Sequence, residues 1–179
     1  MKILILGSVA LPVPPPMQGG TERIAYWQAM GLAKRGHEVT LIAARGSKPD
    51  PSYRLIEIGG GDTVTGSSGA EVGKSAPGDK NFLGTAIRLH PAKILLPVAS
   101  FVEGSRNLRK EAIYLAEVEQ FILDHGKEYD VILNNMRAGE TLFVPAAKAV
   151  GVRYATVMHL PMFAELADYF TQTNTSVIT

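Results

Sequence analysis

"MKILILGSVALPVPPPMQGGTERIAYWQAMGLAKRGHEVTLIAA", residues 1–44, decides the fold. Ile3 to Leu6 form a continuous apolar run ending at Gly7, the pattern of a strand buried on both faces of a parallel sheet. A loop with Pro12, Pro14, Pro15 and Pro16 follows. From Thr21 to Arg35 apolar residues recur at helical spacing (Ala25, Ala29, Leu32, Ala33), and Gly36 stands where a left-handed terminating residue is needed. "HEVTLIAA" is then a second strand. Strand, long loop, helix and strand fit in fewer than 45 residues, and such a crossover returns right-handed to a parallel neighbour. That is half of a doubly wound sheet.

Working outward, "YRLIEIG" alternates in polarity and predicts a third strand nearer an edge. Residues 59–80 are dense in Gly and Ser without sustained periodicity, so a mobile loop is expected there. Residues 81–104 are apolar but broken by Pro91 and Pro97, which predicts short helices. Asn107 to His125 carries a helical stripe that ends at Gly126. "YDVILNN" is another buried strand, "AGETLFVPAAKAV" a helix closed by Gly151, and "VRYATVMH" a further strand. A short helix and an apolar end, Val177 and Ile178, complete the chain. The expectation is one α/β domain over residues 1–179, Rossmann-like and doubly wound with a mostly parallel sheet.

Composition narrows the function classes. With 46% hydrophobic residues and 18 basic against 17 acidic side chains, the chain has neither the make-up of a disordered segment nor a broad nucleic-acid footprint. It has no cysteine, which removes disulfide frameworks, thiolate metal sites and a cysteine nucleophile together, and points to a cytoplasmic setting. The opening apolar run is too short for a signal-peptide core or a spanning helix. "FLGTAIRLHPAKILLPVASF" permits a helix in peripheral contact with a membrane, although core or interdomain packing explains it equally well.

Ligands of open parallel sheets gather beyond the carboxyl ends of the strands. The segments to weigh are therefore Gly7 to Thr21, Asn134 to Gly139, and His159 to Pro161. Gly19 and Gly20 remove two Cβ atoms where unpaired helix amides and the positive end of the helix dipole are exposed, so a phosphate or sugar hydroxyl has room to approach. The plainer reading is a tight turn into the helix. Gly7 alone does not make the dinucleotide fingerprint, no Lys-Ser/Thr follows Gly20 as a P-loop requires, and no Tyr-x-x-x-Lys pair marks an epimerase.

His159 ends a strand and precedes Leu160 and Pro161, which directs the imidazole toward the cleft. His37, His90 and His125 have no metal-site spacing, and no metal is expected. Asn134 and Asn135 either bind a sugar or hold the following turn. Arg137 reaches an acidic group or is simply solvated. Glu22 and Arg23 on the first helical turn admit the same two readings. Glu111, Glu117 and Glu119 read as a solvated acidic face in mid-helix.

The 1–44 stretch resembles the opening of family 4 glycosyltransferases, retaining enzymes of the two-domain GT-B fold, in its proline-containing loop, Gly-Gly pair and helix ending Arg-Gly-His-Glu-Val. "YDVILNN" and "VRYATVMHLP" continue the likeness more weakly, and "NTSVIT" is similar to the family's next strand. The resemblance implies transfer of a sugar from a nucleotide-diphosphate sugar to an acceptor hydroxyl with retention, and no further cofactor. By that likeness His159 is the catalytic candidate and Gly19, Gly20 and Asn135 are candidates for binding donor and acceptor; Thr21 and Arg137, in the same segments after β-strands, are added as binding candidates from the residues themselves. Asn135 stands where many members carry His. The family's donor site, including two glutamates separated by seven residues, lies mainly in a carboxyl-terminal domain. Glu111 and Glu119 reproduce that spacing on a helix of the other half, so the role is not carried over. This chain corresponds to the amino-terminal, acceptor-side half, expected to be inactive without its second domain. The alternative is a non-catalytic nucleotide- or sugar-binding α/β module.

Overall fold

The computed structural model describes residues 1–16, 19–60 and 91–179, with side-chain surroundings from residue 106 onward in the last segment. Beyond Gly60, the loop expected at 59–80 lies outside the described residues, as do residues 81–90 of the apolar segment after it.

The first strand is β1 (Lys2–Ser8), followed by α1 (Gly20–Lys34), β2 (Glu38–Ala43) and β3 (Arg54–Glu57). After the undescribed stretch come α2 (Pro91–His125), a 3-10 turn (Gly126–Glu128), β4 (Val131–Asn134), α3 (Gly139–Val150), β5 (Arg153–Val157), α4 (Ala164–Thr173) and β6 (Ser176–Ile178). All neighbouring strands are parallel, in the order β3-β2-β1-β4-β5-β6. This is the doubly wound order of a Rossmann-like sheet.

β1 lies at the centre, with Ile3 opposite Val39 on one side and Val131 on the other. Its side chains alternate between two cores. Ile3 and Ile5 pack with Ala25 and Ala29 of α1, whereas Leu4 and Leu6 pack with Val118 and Ile122 of α2 and Phe143 of α3. Leu4, Ile5 and Leu6 are fully buried, each burial being worth about 1.5–3 kcal/mol relative to exposure. The unbroken apolar run exists because helices cover both faces.

α1 ends in a hydrogen-bonded cap: the Gly36 amide donates to the Ala33 carbonyl at 2.9 Å and the His37 amide to the Leu32 carbonyl at 3.2 Å. Gly36 takes the left-handed φ of 82° that this cap requires. Three residues, Arg35 to His37, thus suffice to pass from the end of α1 to the first paired residue of β2, Glu38.

One expectation needs correction. No break forms at Pro97: α2 runs through it as a single helix over Pro91–His125, while the residues before Pro91 lie outside those described. Inside a helix a proline deletes one hydrogen bond without necessarily ending the ladder. Here the buried stripe of Leu115, Val118 and Ile122 anchors the helix farther along. The other strands and helices fall where periodicity predicts them, with β3 at the sheet edge.

Candidate functional site at the centre of the sheet

From β1 the chain winds outward to β2 and β3, and from β4 it winds the other way to β5 and β6. The loops leaving β1 and β4 therefore diverge, and the space between them is where such sheets bind ligands. A cavity of about 110 Å³ lies there, between Ser8 to Leu11 after β1, Thr21 and Glu22 at the start of α1, Glu111 on α2, and Asn135 to Arg137 after β4.

The structure separates the two glycines. A Cβ on Gly19 would lie 2.7 Å from the Pro15 ring and 2.8 Å from the Glu22 carboxylate, and its φ is +153°. Gly19 thus allows the proline loop to fold back onto the helix start. A Cβ on Gly20 meets no described atom within 4 Å. Gly20 is exposed, and it is the first residue of α1. The Arg23 amide bonds the Gly19 carbonyl at 3.1 Å, and among the described residues the amides of Gly20, Thr21 and Glu22 meet no backbone acceptor.

The two asparagines divide in the same way. Asn134 is fully buried; its amide donates to the Met136 carbonyl and the Thr156 hydroxyl, and its oxygen accepts from the Met136 amide at 3.0 Å. It closes the turn after β4 and ties it to β5. Asn135 instead donates Nδ2 to Gln28 Oε1 of α1 at 2.8 Å and presents Oδ1 to His159 Nε2 at 3.0 Å. Three elements, α1, β4 and β5, are joined through that one side chain.

His159 is half-buried, and burial lowers its pKa; the Glu22 carboxylate opposes this and the Arg137 guanidinium adds to it. The imidazole is therefore biased toward neutrality. With Nε2–H donated to Asn135, Nδ1 is the acceptor nitrogen. Arg137 also faces two carboxyls, Glu111 and Glu140, both of which burial pushes upward while Arg137 pulls them down.

Glu111 is the second correction. It is not part of a solvated mid-helix face: it is half-buried and lines the cavity. The signal was its spacing, since Glu111, Leu115, Val118 and Ile122 fall at i, i+4, i+7 and i+11 and continue the buried stripe. Gln28 was missed in the sequence as well, although it adjoins the inward-facing Ala25 and Ala29 on α1.

Of the sequence candidates, Thr21, Asn135 and Arg137 line the cavity, His159 hydrogen-bonds Asn135, and Gly19 and Gly20 lead into α1. Among the described residues no three His, Asp or Glu side chains gather as a metal-binding group, and no described helix is long and apolar enough to cross a membrane. Fold and site define a Rossmann-like α/β domain with a cavity of mixed polar and apolar lining where its strand order reverses. Compared with known proteins, the chain matches no protein-family model and no curated protein.

Proposed function

We propose that this chain is the acceptor-side half of a retaining glycosyltransferase, which moves a sugar from a nucleotide-diphosphate sugar to an acceptor hydroxyl. The observation that carries this reading is the open start of α1: Gly20 has no described neighbour within 4 Å of its Cβ position, and three successive helix amides meet no backbone acceptor among the described residues. A helix start of that kind suits the negative charge that grows on a leaving diphosphate. Neutral His159, held by Asn135, orients the donor sugar through its acceptor nitrogen. Leu160 and Phe163 stand 55% and 60% exposed just after His159, a surface suited to the wall that a second domain would supply. Closure of the two walls would exclude water and align the anomeric carbon with the acceptor hydroxyl.

The test is Gly20→Val in a polypeptide that joins this half to a donor-binding domain. Transfer falls by roughly tenfold or more if helix amides stabilise the leaving group. Unchanged turnover together with unchanged donor affinity overturns the assignment. The genomic frame beyond Thr179 is a second check, with another α/β half carrying two glutamates separated by seven residues as the expected result.

A binding module without catalysis is the rival reading, favoured by the cavity being lined within this one chain. Tight saturable binding of a nucleotide sugar by the chain alone would select it. The transferase reading expects weak binding here, because most donor contacts would come from the second half.

A further inference from the structure

The Glu22 side chain is 8% exposed and lines the cavity, yet among the described residues nothing hydrogen-bonds to its carboxylate or forms an ion pair with it. Burying a carboxylate without donors is costly, and here the N-terminal turn of α1 offsets part of the cost. Its oxygens offer unused lone pairs. Across the cavity stands Glu111, with Arg137 close to it.

We propose that this cavity recognises adjacent hydroxyls of a neutral sugar ring, with the Glu22 carboxylate accepting their O–H donors and Glu111 and Arg137 flanking them. The ligand's role as acceptor substrate rests on the transferase reading; its binding to Glu22 does not.

Charge selects among ligand classes. An anionic ligand would meet the Glu22 carboxylate, and an ammonium group would meet the Arg137 guanidinium. A neutral diol fills the carboxylate lone pairs without bringing net charge into a partly desolvated space, and hydrogen bonds to an ionised acceptor are the strong kind. Size agrees with this. A water requires roughly 10–15 Å³, so a cavity of about 110 Å³ admits the hydroxylated edge of one ring.

The experiment is an amide NMR titration of the ¹⁵N-labelled chain with methyl α-glucopyranoside and methyl α-mannopyranoside, with glucosamine and glucose 6-phosphate as charged counterparts. The expected result is saturable shifts at Thr21, Glu22 and Glu111 with at least one neutral glycoside, larger than with the charged sugars. Affinity should fall by roughly tenfold or more in Glu22→Gln. Glu22→Asp keeps the charge and draws it back by one methylene, so it should weaken binding less and serves if the glutamine variant does not fold.

The proposal is overturned if neither glycoside shifts those amides, if a charged sugar binds more tightly, or if binding is undiminished in the folded Glu22 variants. Adding UDP-glucose or GDP-mannose to the same samples separates the two levels. A donor response at Gly20 without glycoside binding removes this inference and leaves the transferase reading. Glycoside binding through Glu22 with no donor response at Gly20 removes the transferase reading and leaves a carbohydrate-binding domain.

Discussion

His159 Nε2 lies 3.0 Å from Asn135 Oδ1, and Asn135 can present that oxygen because its Nδ2 is committed to Gln28 at 2.8 Å. The glutamine on α1 thereby fixes which histidine nitrogen carries the proton. His159 should titrate below the ordinary imidazole value of 6.5, since burial disfavours its charged form. A base whose folded pKa is depressed costs nothing above its unfolded value and loses stability as pH falls from there through the folded value, because the unfolded chain then binds more protons. Imidazole NMR against pH checks this directly. Asn135→Asp should raise the midpoint by placing a carboxylate beside Nε2; a midpoint at or above the ordinary value in the native protein would contradict the arrangement.

The paired glycines should respond in opposite ways. Gly19→Ala pushes a Cβ into Pro15 and the Glu22 carboxylate at a positive φ, which should cost about 1–3 kcal/mol in chemical denaturation. Gly20→Ala meets open space at the first residue of a helix, so its stability should hold or rise by about 0.4–1 kcal/mol. Equal losses at both positions would mean that Gly20 is packed after all.

Asn134 and Asn135 should separate by the same logic. Asn134→Ala strips a fully buried turn of its bonds to Met136 and Thr156 and should cost about 2–3 kcal/mol in thermal or urea unfolding. Asn135→Ala should cost about 1 kcal/mol, with its main effect on the His159 titration.

Glu111 carries a pH dependence of the other sign. Burial raises its pKa above 4.5, so the folded state holds its proton more tightly than the unfolded chain does. Its contribution to stability is greatest below the unfolded value and is lost as pH rises through the folded value. Glu111→Gln should remove that component and leave the melting temperature at pH 7 equal to or above that of the native protein. A marked fall would show that the charged carboxylate has a stabilising partner.

The sheet was legible because β1 is buried on both faces and therefore cannot mix polar residues into Ile3 to Leu6, and because Gly36 marks the stop of α1. The continuity of α2 was not, since Pro97 carries a breaking signal locally while packing at Leu115, Val118 and Ile122 acts more than a dozen residues away. At the site, local pattern placed Gly19, Gly20, Asn134 and Asn135 in two pairs without dividing them, and only the family likeness singled out Asn135. The division depends on Pro15, Gln28 and Thr156, which come near only after folding. Glu111 was misread because a lone acid on a helix looks solvated until its own stripe is followed inward.

The most direct test of the account is whether the amides of Gly20 and Thr21 sense a nucleotide-diphosphate sugar. Titrating the ¹⁵N-labelled chain with UDP-glucose and GDP-mannose should give weak, saturable shifts at those amides with at least one donor, and Gly20→Val should abolish them without lowering the melting temperature. Amides that stay unmoved with both donors, or that shift equally in the valine variant, would contradict it.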